Sequence, residues 1–91
     1  MDGEPIGNQG AKTVASNLPM CTNIQGLMLQ GCQIKDAGAI AIFKSAVNCN
    51  NLEEINLNHN TLSVRVFDSL ISLLQRSSKV NVKVNELKVE T

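Results

Sequence analysis

Tryptophan and tyrosine are absent, and two phenylalanines supply all the aromatic volume of this 91-residue chain. Its core therefore has to be built from aliphatic side chains and not around a few large rings. Charge is equally scarce. Eight Lys and Arg balance eight Asp and Glu for a formal net charge of zero, which excludes an electrostatically driven nucleic-acid binder. Lys35, Lys44, Arg65, Arg76 and Lys79 form no basic stripe in the sequence, so RNA or DNA is not an expected partner. No window reaches the roughly 18 uninterrupted apolar residues of a membrane span. The acidic start Met1-Asp2-Gly3-Glu4-Pro5 has no apolar signal segment, so the expected location is the cytoplasm. The odd set Cys21, Cys32 and Cys49 closes no disulfide framework. A Cys21–Cys49 pair that leaves Cys32 over stays open.

Catalytic patterns are missing too. Gly10-Ala11-Lys12-Thr13 lacks the glycine directly before the lysine that a phosphate loop needs, and no strand precedes it. His59 has no carboxylate or thiol at any catalytic motif spacing, and with the three cysteines it forms no close ligand pairs of the kind zinc sites use. The expectation is a protein that is not an enzyme and takes no cofactor and no metal.

What the chain does contain is an internal repeat. Written in rows of 28, Ile6 aligns with Ile34 and Leu62, Ile24 with Leu52, Leu27 with Ile55, and Leu29 with Leu57. One half of each row is spaced i, i+3, i+4, i+7, as a helix with one buried face requires. The stripes are Ala11, Val14, Ala15, Leu18, then Ala39, Ile42, Phe43, Ala46, then Phe67, Leu70, Ile71, Leu74. The other half alternates at period two through Leu27/Leu29 and Ile55/Leu57, as a short half-buried strand does. Residues 28 apart then become neighbours on adjacent parallel strands.

The strand segments read L-x-x-L-x-L-x-x-C-x-L over Ile24–Ile34 and L-x-x-L-x-L-x-x-N-x-L over Leu52–Leu62. With the junctions Ile6-Gly7-Asn8-Gln9-Gly10-Ala11 and Ile34-Lys35-Asp36-Ala37-Gly38-Ala39, these segments make residues 6 to about 76 resemble the ribonuclease-inhibitor-like subfamily of leucine-rich repeats, the type found in NOD-like receptor repeat regions. The resemblance implies an α/β fold: a short right-handed solenoid of about three repeats, with parallel strands on the concave side and helices on the convex side. A single domain over 1–91 is expected, with rows at about 6–33, 34–61 and 62–91. Such folds serve many partners, so the resemblance specifies architecture and not a function.

Several positions have a structural role within this frame. A buried amide at Asn60 can pair both a donor and an acceptor where the chain leaves the strand, and Cys32 holds the same place one row earlier. Asp36 and Ser63 stand where helix N-caps belong, while Gly10 and Gly38 permit close approach at the helix starts. Val66 replaces the expected glycine in the third row. Counting 28 from Ile55 and Leu57 would put Lys83 and Asn85 in the core. A one-residue deletion between Leu62 and Val82 instead turns Val82 and Val84 inward, with Leu87 and Val89 taking the later inward places. Lysine on this last strand would blunt an exposed edge.

The remaining side chains form the surface. Met28 and Gln30, then Glu54, Asn56, Asn58 and His59, then Asn81, Lys83 and Asn85 lie on the concave side of the expected sheet. That face is the usual binding surface of a solenoid. The expected function is a non-catalytic protein-interaction module that binds a protein partner through this face. The alternative is a structural subunit or fragment of a larger intracellular assembly, cytoskeletal or axonemal, docked or self-associated through its N-terminal end. That end has no strand ahead of residues 24–34 to cover their apolar side.

Overall fold

The computed structural model describes residues 6–20, 23–49, 51–76, 80–84 and 87–88. Along the chain run α1 (Gly7–Asn17), β1 (Gly26–Met28), α2 (Asp36–Ala46), β2 (Glu54–Asn56), β3 (Leu62–Ser63), α3 (Phe67–Arg76), β4 (Asn81–Lys83) and β5 (Leu87–Lys88). Short 3-10 turns at Leu18–Met20 and Val64–Val66 follow α1 and precede α3. The fold is mixed α/β. A helix separates each main strand from the next, and only such a crossover lets neighbouring strands run parallel.

The main sheet has the order β1-β2-β4, all parallel. Its central rung is Leu27, Ile55 and Val82, so the spacing is 28 residues in the first step and 27 in the second, as the one-residue deletion requires. The ladder continues past the strand ends: Leu29 N–H donates to Asn56 C=O at 2.9 Å, Gly31 N–H to Asn58 C=O at 2.9 Å, and Leu57 N–H to Lys83 C=O at 2.9 Å. Leu27, Leu29, Leu52, Ile55 and Leu57 are buried against the helices. Each such side chain stabilises the fold by about 1.5–3 kcal/mol relative to exposure. Among the described residues β1 is an edge strand with no strand ahead of it, but the apolar side chains expected to be uncovered there, Leu27, Leu29, Cys32 and Ile34, are all buried. They share one cluster with Ala11, Ala15 and Leu18 of the first row, against which Ile6 also packs.

The buried faces of the first two helices are those the periodicity marks. Ala11, Ala15 and Leu18 are buried in the first row, with Val14 half-buried, and Ala39, Ile42, Phe43 and Ala46 are fully buried in the second. The third helix differs. Val66 and Leu73 are fully buried, whereas Phe67, Ile71 and Leu74 are exposed, so the expected stripe is one residue out of phase. Ala39 corresponds to Val66 and Ala46 to Leu73, both 27 apart, which places the deletion between Leu62 and Val66, ahead of α3. The 3-10 turn Val64–Val66 takes up the shortening, because a 3-10 turn needs fewer residues than an α-turn. The second sheet shows a further shortening: Leu62 pairs with Leu87, not with Val89, and Val89 lies outside the described residues.

The start of α2 is tied to the preceding row and not to a local cap. The N-cap position of α2 is Lys35, not Asp36, and no side chain of its own caps it. Asn8 supplies that cap from the first row: its Oδ1 accepts the Lys35 N–H at 2.9 Å and the Gly38 N–H at 3.0 Å. One row on, Asp36 repeats the device, accepting the Ser63 N–H at 2.8 Å and the Ser63 hydroxyl. Ser63 in turn accepts the Arg65 N–H at 3.3 Å and caps the 3-10 turn. The rung depends on helices approaching closely at Gly38, where a Cβ would stand 2.8 Å from both Ala11 Cβ and Asn8 Oδ1. Asn8→Ala is expected to lower stability by about 1–2 kcal/mol, the upper range for a lost cap. Chemical denaturation with an unchanged m-value would show it, and no change would mean that water replaces the amide.

Candidate interaction face

On the side of the main sheet away from the helices, strand alternation brings out two cross-strand rungs. Gly26, Glu54 and Asn81 form one, and Met28, Asn56 and Lys83 form the next. Gln30, Asn58 and His59 follow in the turns after β1 and β2. The seven residues singled out from the sequence, Met28, Gln30, Glu54, Asn56, Asn58, His59 and Lys83, thus lie along one face, while Asn85 lies outside the described residues. Met28, His59, Asn81 and Lys83 are exposed, and Gln30, Glu54, Asn56 and Asn58 are half-buried.

The face has internal order. Lys83 Nζ stands 3.6 Å from Glu54 Oε1, linking β2 and β4 diagonally. At their exposure this pair contributes at most about 1 kcal/mol, so its main effect is to neutralise and orient both groups. Asn56 Oδ1 accepts the Asn58 N–H at 3.1 Å and folds the turn over the end of β2. Asn58 Oδ1 is buried and takes no hydrogen bond. Met28 lies along the sheet: its Cε is 3.0 Å from where a Cβ on Gly26 would be. A side chain at 26 would displace it, so the glycine leaves room for a flat apolar spot beside the polar rungs. This arrangement escaped the sequence because it depends on a contact two residues along one strand.

Beneath the face, Asn60 fastens the turn. It is buried at 4% exposure, and its Oδ1 accepts the N–H of Cys32 at 3.0 Å and of Ile34 at 2.9 Å. Its Nδ2 donates to Leu29 C=O at 2.8 Å and Leu57 C=O at 3.0 Å. One amide thereby joins two rows. Cys32, one row earlier, is fully buried, and its thiol donates to Gln30 C=O at 3.5 Å within its own row. The preceding residues also match: Gly31 at φ 66° and His59 at φ 63° share the left-handed conformation, which glycine adopts without strain and histidine more readily than most residues. That backbone geometry throws the His59 side chain to the surface.

Other chemistry is sparse. Among the described residues no group of three or more His, Cys, Asp or Glu is placed to hold a metal ion. Cys49 is buried and its thiol donates to Leu18 C=O at 3.5 Å; Cys21 lies outside the described residues, and with it the question of their pairing. A groove of about 450 Å³ separates α2 from α3 on the far side from the sheet, lined by Phe43, Lys44, Val47, Asp68, Ser69, Ser72 and Arg76. No nucleophile paired with a base lines it. Among the described residues no helix is long and apolar enough to cross a membrane. No protein-family model matches the chain, and no curated protein matches it.

Proposed function

We propose that this chain is a short leucine-rich-repeat array that acts as a non-catalytic interaction module, binding a protein partner through Met28, Gln30, Glu54, Asn56, Asn58, His59 and Lys83. The observation that carries the reading is the in-register pair of rungs across β1, β2 and β4, where one apolar side chain, two amides and an ion pair present themselves side by side. A face of that composition offers directional hydrogen bonds around a small apolar contact, which suits a polypeptide more than a small molecule. Its helical rows, parallel sheet and row-to-row amide at Asn60 are what the repeat reading requires, and they support it.

Docking through the N-terminal end has less support. Helix α1 exposes Gln9, Lys12, Thr13, Ser16 and Asn17 and no large apolar side chain. The test is a crosslinking comparison between the wild-type chain, the double variant Met28→Lys/Glu54→Lys on the proposed face, and Lys12→Glu on α1. A protein crosslinked by wild type and by Lys12→Glu but lost from the double variant, whose thermal melt stays within about 3 °C of wild type, is the expected outcome. Capture that survives the double variant and fails with Lys12→Glu would replace this reading by the N-terminal one.

A further inference from the structure

We propose that the groove between α2 and α3 is a second binding site, one that takes a small phosphate monoester with an apolar body. Its volume of about 450 Å³ falls in the range of small-molecule clefts. Two cations line it, Lys44 from α2 and Arg76 from α3. Both side chains are exposed, and among the described residues neither has an ion-pair partner. Ser69 and Ser72 add hydroxyls on the α3 wall, while Phe43 and Val47 supply the apolar part of the lining. An apolar surface beside a few convergent polar groups is the usual composition of a ligand cleft.

The repeat itself does not call for these charges. One row earlier, in the seam between α1 and α2, the places of Lys44, Asp68 and Arg76 are held by Ser16, Ala41 and Cys49. That seam is also the more closely packed of the two. Helices α1 and α2 approach at Gly38, where a Cβ would stand against Ala11 and Asn8, whereas Arg65 takes the glycine's place 27 residues on, at the entry to α3. The groove thus opens where the third row gives up the glycine, and the charges appear at the same place. Lys44 and Arg76 each lie in the last turn of their helix, where the helix dipole favours a cation whichever way its side chain points. The dipole does not require both to line one groove beside two hydroxyls.

The order of groups along the groove selects the ligand. Asp68, Ser72 and Arg76 stand four residues apart on one face of α3, so they span about 12 Å at a rise of about 1.5 Å per residue. Lys44 corresponds to position 71 at the 27-residue step and lies near the level of Ser72. Positive charge is thereby gathered at the end marked by Ser72 and Arg76, and Asp68 stands more than a Debye length from Arg76 at physiological salt. Two cations match the charge of about −1.5 to −2 on a phosphate monoester better than the single charge of a carboxylate. The guanidinium can also grip two phosphate oxygens with parallel N–H donors. The apolar body then lies over Phe43 and Val47, and its far end meets Asp68, an acceptor that favours a hydroxyl or N–H there over a second anion.

Titration of the isotope-labelled 91-residue chain with phenyl phosphate, followed by the shifts of its backbone amide signals, tests the proposal. Saturable shifts centred on residues 43–47 and 68–76 are expected, with half-saturation at or below about 1 mM. Phenol lacks the charge and inorganic phosphate lacks the apolar body, so each should bind at least about tenfold more weakly. Benzoate, with a single charge, should fall between. Lys44→Gln and Arg76→Gln, both at exposed positions, should each weaken phenyl phosphate about tenfold with melts like that of wild type, while Lys44→Arg, which keeps the charge, should stay close to wild type. Asp68→Asn should leave the affinity unchanged or raise it. No saturable shift up to about 10 mM, shifts centred away from the groove, or a loss with Asp68→Asn as large as with Arg76→Gln overturns the proposal. So does phenol or benzoate binding as tightly as phenyl phosphate.

Discussion

Asn60→Ala is expected to lower the unfolding free energy by about 3 kcal/mol, which for a domain of this size shifts the midpoint of thermal unfolding down by about 12 °C or more. The magnitude follows from the number of groups one truncation orphans. The N–H groups of Cys32 and Ile34 lose their acceptor, and the carbonyls of Leu29 and Leu57 lose a donor. Those groups sit in the turn between two rows, where a 4% exposed side chain leaves little access for water. Cys32→Ala should cost less, because it removes one small thiol and leaves the four backbone groups that Asn60 pairs with their partner. Thermal melts of the two variants side by side measure the difference. Equal losses would mean that Asn60 acts only by filling space.

The second large effect separates two adjacent leucines. Leu73→Ala is expected to cost about 3 kcal/mol, within the range for a buried leucine that leaves a cavity, and Leu74→Ala under about 1 kcal/mol. Leu73 is fully buried and Leu74 is 39% exposed. The periodicity of a 28-residue row points to the opposite order, since it sets Leu74 beside Ala46. Urea titration of the two variants gives both values. A larger loss at Leu74 would restore the 28-residue phase through α3 and move the deletion to a point after it. Phe67, Ile71 and Leu74 would then belong to the core.

The composition of the candidate face was legible and its organisation was not. Glu54, Asn56 and Lys83 are recognisable because they alternate with Ile55 and Val82, and a strand with one buried side must show the others to solvent. The one-residue deletion already implied the 27-residue step between β2 and β4, but that Lys83 reaches diagonally to Glu54 is a side-chain contact that only the folded sheet shows. The cap of α2 was missed for a similar reason. Local capping rules look for an acceptor at the helix start, whereas the acceptor is Asn8, 27 residues before the Lys35 N–H it receives. Asp36 was picked out correctly as a capping type, but its carboxylate serves the next row.

The sequence alone determined the recurring part of this protein: a 28-residue spacing of aliphatic residues, two helix faces, two strand segments, and an asparagine at the turn. Periodicity is a local property, because the pitch of a helix or the pleat of a strand dictates which side chains share a face wherever the chain goes. Tertiary structure decided what happens where the period breaks. One residue lost before α3 rotates that helix by about 100°, and whether the chain absorbs this in the turn or carries it into the helix depends on which side chains the sheet and α2 can bury. Packing chose Val66 and Leu73, because they fill the space against the core, and left Phe67, Ile71 and Leu74 facing water.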